Sequence, residues 1–332
     1  MKRIIFSLSL LALCASGVSA EVFKHRPLFE EYTALWCGWC PRGHVAIQML
    51  DEMYGDDHIT ISYHINDALA VTNTFPMNVQ SAPWGSVDRE KLIDPYYGET
   101  LDVDLAIVDN LEAAMAKEAP CSIDVTATLS GNRVNAVSEV VFADDQDNAP
   151  YQIGYVLTCS GLTNGRWLQT NDYSSYRDRG TFDGTPLEEL TQLGIYVRTF
   201  VFDHVAVDVN GMKGVSGSLP TSITAGETYS HSHSFNIASN ELIDDPQHLA
   251  VVAFVVDKST GLVVNANEFS FYNPEDDNQE NGIGDITTDE EVVSTEYFNL
   301  AGLRMAQPAP GICLRRQTLS DGSTRTTKIV IK

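Results

Sequence analysis

The sequence predicts an α/β domain, then an all-β sandwich, then a small separate β-module. Three observations carry this. Up to residue 119 apolar runs of strand type alternate with helical spacing. From Pro120 to about 271 the chain alternates apolar and polar residues in short runs with no helix between them. Finally, 273–294 holds eight acidic residues and no Lys or Arg, after which 295–332 reverses the charge, with six basic residues against two acidic.

The first twenty residues stand outside the fold. Lys2 and Arg3 precede an apolar stretch from Ile4 to Ala15, and Val18-Ser19-Ala20 supplies small residues for cleavage before Glu21. This reads as a secretory signal peptide (1–20), so the chain is expected in the periplasm, on the outer-membrane surface or secreted. Leu11 to Cys14 is similar to a lipoprotein cleavage box. Leu13, however, stands where a small residue normally precedes the cysteine, so an unlipidated Cys14 is expected. No apolar run reaches the roughly 18 residues of a membrane span.

Of 332 residues, 45 are acidic and 21 basic, a net charge of −24. Such a surface repels phosphate backbones, so no nucleic-acid partner is expected. Export places the cysteines where disulfides persist. The five that follow the signal peptide leave at least one unpaired within the chain.

In order, 28–36 reads as a buried strand. A helix from about Cys37 to Tyr54 places Val45, Met49 and Met53 on one face, and Gly55 with two aspartates stops it. Residues 59–65 and 84–89 read as strands, and Leu101 to Ala119 as an amphipathic helix. Strands are then expected at 122–129, 134–142, 151–159, 195–209, 227–237, 248–256 and 262–271. The stretch 161–193 is a long polar, Gly-rich excursion between strands, with room for a short helix at 186–193. Cys121 and Cys159 bound a run of these strands and are a possible sandwich disulfide. His231 and His233, two apart on a strand, read as solvated.

The chemistry centres on Cys37-Gly38-Trp39-Cys40. Two cysteines separated by two residues at a helix start put both sulfurs within bonding distance, and the helix dipole favours the thiolate of the first. Cys37 is the expected nucleophile, and the deeper Cys40 resolves the mixed disulfide. Zinc would need two further ligands, and no second CxxC or HxxxH exists. His44 alone, expected on the surface, does not supply them. No metal or cofactor is expected.

The run from Glu31 to Pro41 (EYTALWCGWCP) resembles the strand-to-helix turn of the thioredoxin superfamily. The resemblance implies that 21–119 is thioredoxin-like. It places an acid six residues before the first cysteine, Glu31, to carry protons for Cys40, with Glu30 competing for that role. It also implies a cis-proline facing the disulfide, which Pro83 in Ser81-Ala82-Pro83-Trp84 matches. Ala82 would present its backbone to an extended substrate, alongside Trp36, Gly38 and Trp39. Trp39 and Pro41 depart from thioredoxin itself, so its strongly reducing potential does not carry over.

Glu30 to His44, including CPRGH, is similar to a family of Bacteroidetes outer-membrane lipoproteins that join a thioredoxin-like domain to a β-sandwich. The similarity resumes at Phe202 (FDHVAV), Val251 (VVAFVVDK) and Asn265-Ala266. The tail from Thr295, with YFNLAGLR from Tyr297, PGICL from Pro310 and the terminal KIVIK, resembles C-terminal β-modules of secreted Bacteroidetes proteins. Some of these are sorting signals for type IX secretion.

The expected architecture is therefore an α/β thioredoxin-like domain (21–119), an immunoglobulin-like sandwich (120–272), an acidic linker (273–294) and a sorting-like module (295–332). Two functions follow. One is an extracytoplasmic thiol–disulfide oxidoreductase acting on thiols or disulfides of exported proteins, with a possible redox donor protein. The other is a cell-surface binding or adhesion protein whose thioredoxin-like part is a scaffold with a structural disulfide.

Overall fold

Leu28–Thr33 (β1) and Ile59–His64 (β2) lie parallel, in register from Leu28 opposite Ile59 to Thr33 opposite His64. The helix Pro41–Tyr54 (α1) makes the crossover that a parallel pair requires. Trp84–Val87 (β3) then pairs antiparallel with the other edge of β1, Trp84 opposite Tyr32. The computed structural model describes residues 22–72, 74–101, 103–272 and the strands of the last segment. Among them strands dominate and helices are few, and no helix is long and apolar enough to cross a membrane. The signal-peptide and Cys14 expectations lie outside the described residues.

Two helix expectations are corrected. α1 begins at Pro41, with Cys40 as its cap, so Cys37 to Cys40 form the turn before it. Its buried face is Gly43, His44, Ile47 and Leu50, while Met53 is exposed. The second helix is only Ile107–Met115 (α2), because Leu105 has φ +53°, a left-handed conformation that no helix interior accommodates.

After α2 come Cys121–Ser130 (β4), Arg133–Phe142 (β5), Tyr151–Cys159 (β6), Val205–Asn210 (β7), Thr228–Asn236 (β8), Leu249–Asp257 (β9) and Val263–Ser270 (β10). β8-β5-β4 form a three-stranded sheet. The others continue the first sheet, giving a seven-stranded order β10-β9-β6-β7-β2-β1-β3. The sheet thus runs across the boundary expected between 119 and 120. The join is the parallel contact of β7 with β2, where the Ser62 amide donates to the His204 carbonyl at 2.8 Å.

β6 and β9 are buried on both faces rather than on alternate residues. Ile153, Tyr155, Leu157, Val251, Ala253 and Val255 pack toward Ile123, Val134, Val140 and Phe235 of the small sheet. Val156, Val252 and Phe254 face the other way, with Leu28, Tyr32 and Ile61. Each fully buried Val, Leu, Ile or Phe among them contributes about 1.5–3 kcal/mol.

Polar groups fasten the same two regions. The Glu30 and Arg89 side chains form a buried bidentate pair with both bonds at 2.7 Å, and the guanidinium lies 4.7 Å from the Phe254 ring centre. Asn265 Nδ2 donates to the Lys24 and Cys121 carbonyls. His204, held at φ +54°, sets its Nε2 2.9 Å from Asp51 Oδ2 at the end of α1.

The Cys121–Cys159 disulfide is not formed, and both thiols are free and buried. Cys121 lies beside Asn265, which pairs with Val255, whereas Cys159 pairs with Leu249. Six residues of strand separate these levels, roughly 20 Å, far beyond disulfide reach. Burial pushes both thiols up to about 12. His231 and His233 are only partly solvated. They are half-buried against the Tyr155 ring, His231 Nδ1 lies 2.9 Å from the Tyr155 hydroxyl, and burial lowers both pKa values.

The chain divides into two compact units, one comprising residues up to Asp172 with Ile195–Phe271, the other Tyr173–Gly194 with the chain from Tyr272. In the second, Phe182 packs edge-on against Tyr173 and Tyr176, followed by the short helix Glu188–Gln192 (α3). Val292–Phe298 (β11), Arg304–Met305 (β12), Gly311–Leu319 (β13) and Thr324–Ile331 (β14) form an antiparallel sheet ordered β12-β11-β13-β14. β11 begins three residues inside the expected linker, whose acidic part, 273–291, lies outside the described residues.

Candidate functional site

The site is the turn between β1 and α1. β1 ends inside the sheet and delivers Ala34, Cys37 and Cys40 into one small apolar cluster, with Ala82 packed on it. Cys37 and Cys40 are joined by a disulfide. Cys37 is 6% exposed and Cys40 fully buried, the order of access expected of a nucleophile and a resolving thiol. The Ala82–Pro83 peptide bond is cis.

Several bonds fix the turn. The Cys37 amide donates to the Ala34 carbonyl at 3.1 Å, and the Leu35 amide to Asp67 Oδ2 at 2.7 Å. Asp67 also lies 2.8 Å from His64 Nδ1. Trp36 donates its indole N–H to the Ile65 carbonyl yet remains half-exposed, as does Trp39, so both aromatics rim the disulfide. At the helix start Arg42 forks onto Asp94, whose Oδ1 also accepts the amides of Tyr96 and Tyr97.

Two adjacent acids point to opposite faces of β1, as strand alternation requires. Glu30 is taken by Arg89. Glu31 is fully buried: Oε2 accepts from the Ser62 hydroxyl at 3.2 Å, and Oε1 has no hydrogen-bond partner. A Cβ on Gly43, three residues after Cys40, would collide with Oε1, so the carboxyl lies directly beneath the first turn of α1. Burial raises its pKa to about 8. Of the two candidate acids, Glu31 is the one next to the cysteine-bearing helix and uncommitted to an ion pair.

His44 is buried rather than on the surface. It packs edge-on against Phe200 and Phe202, and burial drives its pKa down to about 3, which keeps the ring neutral. Among the described residues no cluster of three His, Cys, Asp or Glu side chains is arranged to hold a metal.

Sequence reasoning missed the segment that covers the turn. Gln169–Thr170, paired with Tyr196–Val197, runs past Leu35 to Gly38. Gln169 Nε2 donates to the Cys37 carbonyl at 3.0 Å, the Thr170 amide to Leu35 at 2.8 Å and the Asp172 amide to Gly38 at 2.9 Å. Nothing local in a polar excursion marks these residues. Gly43 did carry a signal, since a glycine inside a helix costs about 1 kcal/mol relative to alanine and asks for a packing reason.

No protein-family model matches the chain, and no curated protein does. Among solved structures it is similar to HBP35 of Porphyromonas gingivalis, with 19% identity over 93% of this chain and 99% of that one and a TM-score of 0.51. It also aligns with a structure from Agrobacterium tumefaciens at 14% identity, covering 75% of this chain and 96% of that one, with a TM-score of 0.41. The first likeness shows a shared fold over nearly all of both chains. The chain carries an α/β unit, parallel β1 and β2 joined through α1, continued by β-sheet, with the Cys37–Cys40 disulfide at its helix-opening turn.

Proposed function

We propose that this protein is an extracytoplasmic thiol–disulfide oxidoreductase acting on thiols or disulfides of other exported proteins, in exchange with a redox donor protein. The observation that carries this reading is Glu31. A carboxyl buried with one oxygen unpartnered costs on the order of 1–3 kcal/mol, and a purely structural disulfide has no use for it.

In the reducing direction the Cys37 thiolate attacks one sulfur of a partner disulfide. A bond forms between Cys37 and that sulfur, and the other partner sulfur leaves as a thiolate. Cys40 gives its proton to the Glu31 carboxylate and attacks Cys37, expelling the second partner thiolate. The partner gains two electrons and, with protons from solvent and Glu31, two thiols, while the Cys37–Cys40 bond re-forms. In reverse, protonated Glu31 supplies the proton that Cys40 takes up as its bond breaks. A pKa near 8 suits both directions near neutral pH. Ala82, preceding Pro83, and the rim of Trp36, Gly38 and Trp39 receive the partner chain.

One observation favours the alternative of a binding or adhesion protein with a structural bridge: Cys37 is nearly covered. A Cys40→Ser variant separates the two readings. Incubated with oxidised exported proteins of its own cell envelope, it should trap them as reducible adducts through Cys37, and Cys37→Ser should trap none. Equal, absent adducts from both variants would favour the scaffold.

A further inference from the structure

Three residues of one short strap outside the redox motif, Gln169, Thr170 and Asp172, occupy the backbone of its turn. The strap Gln169 to Asp172 supplies donors to the carbonyls of Ala34, Leu35, Cys37 and Gly38. Gln169 and Asn171 are fully buried, as suits a built contact rather than a passing loop. The Asp172 carboxyl lies on Gly38: a Cβ there would overlap its carbon and both oxygens. This glycine is therefore demanded by Asp172, at the residue that follows the nucleophile.

We propose that Gln169 and Asp172 are positioning residues for the redox pair, the strap shielding Cys37 and the Asp172 carboxylate biasing the pair toward its disulfide. This rests on the oxidoreductase reading above. A negative charge held on the residue that follows the nucleophile disfavours its thiolate while leaving the neutral disulfide untouched, so the oxidised form gains. The hydrogen bonds to Leu35, Cys37 and Gly38 hold the charge there and keep the sulfur covered. Other titratable groups on the elements around the turn include Glu30 and Glu31 on β1, Arg42, His44, Asp51 and Glu52 on α1, His64 at the end of β2 with Asp67 after it, Asp94, and Tyr196 on the strand paired with the strap. All of them stay in place when Asp172 alone is changed.

The test equilibrates the full chain and its variants with glutathione buffers, follows Trp36 and Trp39 fluorescence, and titrates the Cys37 alkylation rate against pH. Asp172→Asn keeps the shape and removes the charge. It should make the disulfide at least threefold easier to reduce, about 14 mV less negative by the two-electron relation, and move the alkylation midpoint to lower pH. Gln169→Ala should speed reduction by dithiothreitol at least threefold.

A folded Asp172→Asn chain with wild-type equilibrium and midpoint overturns the inference. Should that variant not fold, Gly38→Ala, which evicts the carboxylate, carries the same expectation and the same refutation. If the wild-type pair does not exchange but either variant does, the strap inference stands and the oxidoreductase reading falls. If none exchanges, both fall.

Discussion

Glu31 and Gly43 share one small volume: the carboxyl of the first occupies the place where a side chain on the second would begin. Gly43→Ala should therefore overpack the space beneath α1 and cost about 1–3 kcal/mol in urea unfolding. The double variant Gly43→Ala, Glu31→Ala should recover most of that loss, because the collision disappears with the carboxyl.

Burial gives Glu31 a pH signature. Its folded pKa, raised to about 8 by burial, lies above the ordinary carboxyl value of 4.5, so the folded chain binds the extra proton between these limits. Stability should fall as pH rises from about 5 to 9, by an amount of the order of a few kcal/mol. Glu31→Gln should flatten this dependence and be the more stable chain at pH 9. It should also slow disulfide exchange, which a change in packing alone would not link to pH.

The contact between Asp51 and His204 titrates at both ends. Asp51 is lowered to about 2 by His204 and His58 against its burial, so its contribution is present above its unfolded value of 3.8 and lost as pH falls through 2. His204 is raised to about 9 by Asp51, again against burial, so its contribution is full below 6.5 and lost as pH rises through 9. The difference in melting temperature between the wild type and His204→Gln should be widest between about pH 4 and 6.5 and shrink on either side.

Arg89 has a structural part. Arg89→Met strands the Glu30 carboxylate inside the sheet and should cost about 3–5 kcal/mol. Replacing both residues with apolar side chains of similar volume should restore much of it, and chemical unfolding of the three variants decides.

The Cys37–Cys40 bond was legible because the pair is local in sequence, whereas the burial of Glu31 and the cis bond before Pro83 were expected from the resemblance alone. Choosing Glu31 over Glu30 was not legible, since strand alternation separates them but only the fold supplies Arg89 to one and Gly43 to the other. The shared sheet was hidden for a related reason. β6 and β9 read as sandwich strands whether or not β7 lies beside β2, and that contact rests on one register match and the bond from Ser62 to His204. Two of the stretches similar to the lipoprotein family tie these regions together: Phe202 packs against His44 and His64, and Asn265 bonds Lys24 and Cys121. Cys121 and Cys159 show the opposite failure, where spacing along the chain suggested a bridge that the strand register forbids.

The most direct test of the account is the reduction potential of the Cys37–Cys40 pair in the full chain at pH 7. The account predicts reversible exchange with a midpoint between about −270 and −120 mV, the span of working oxidoreductases. A pair that stays oxidised below about −300 mV and exchanges slowly would contradict it and leave the disulfide a structural bridge.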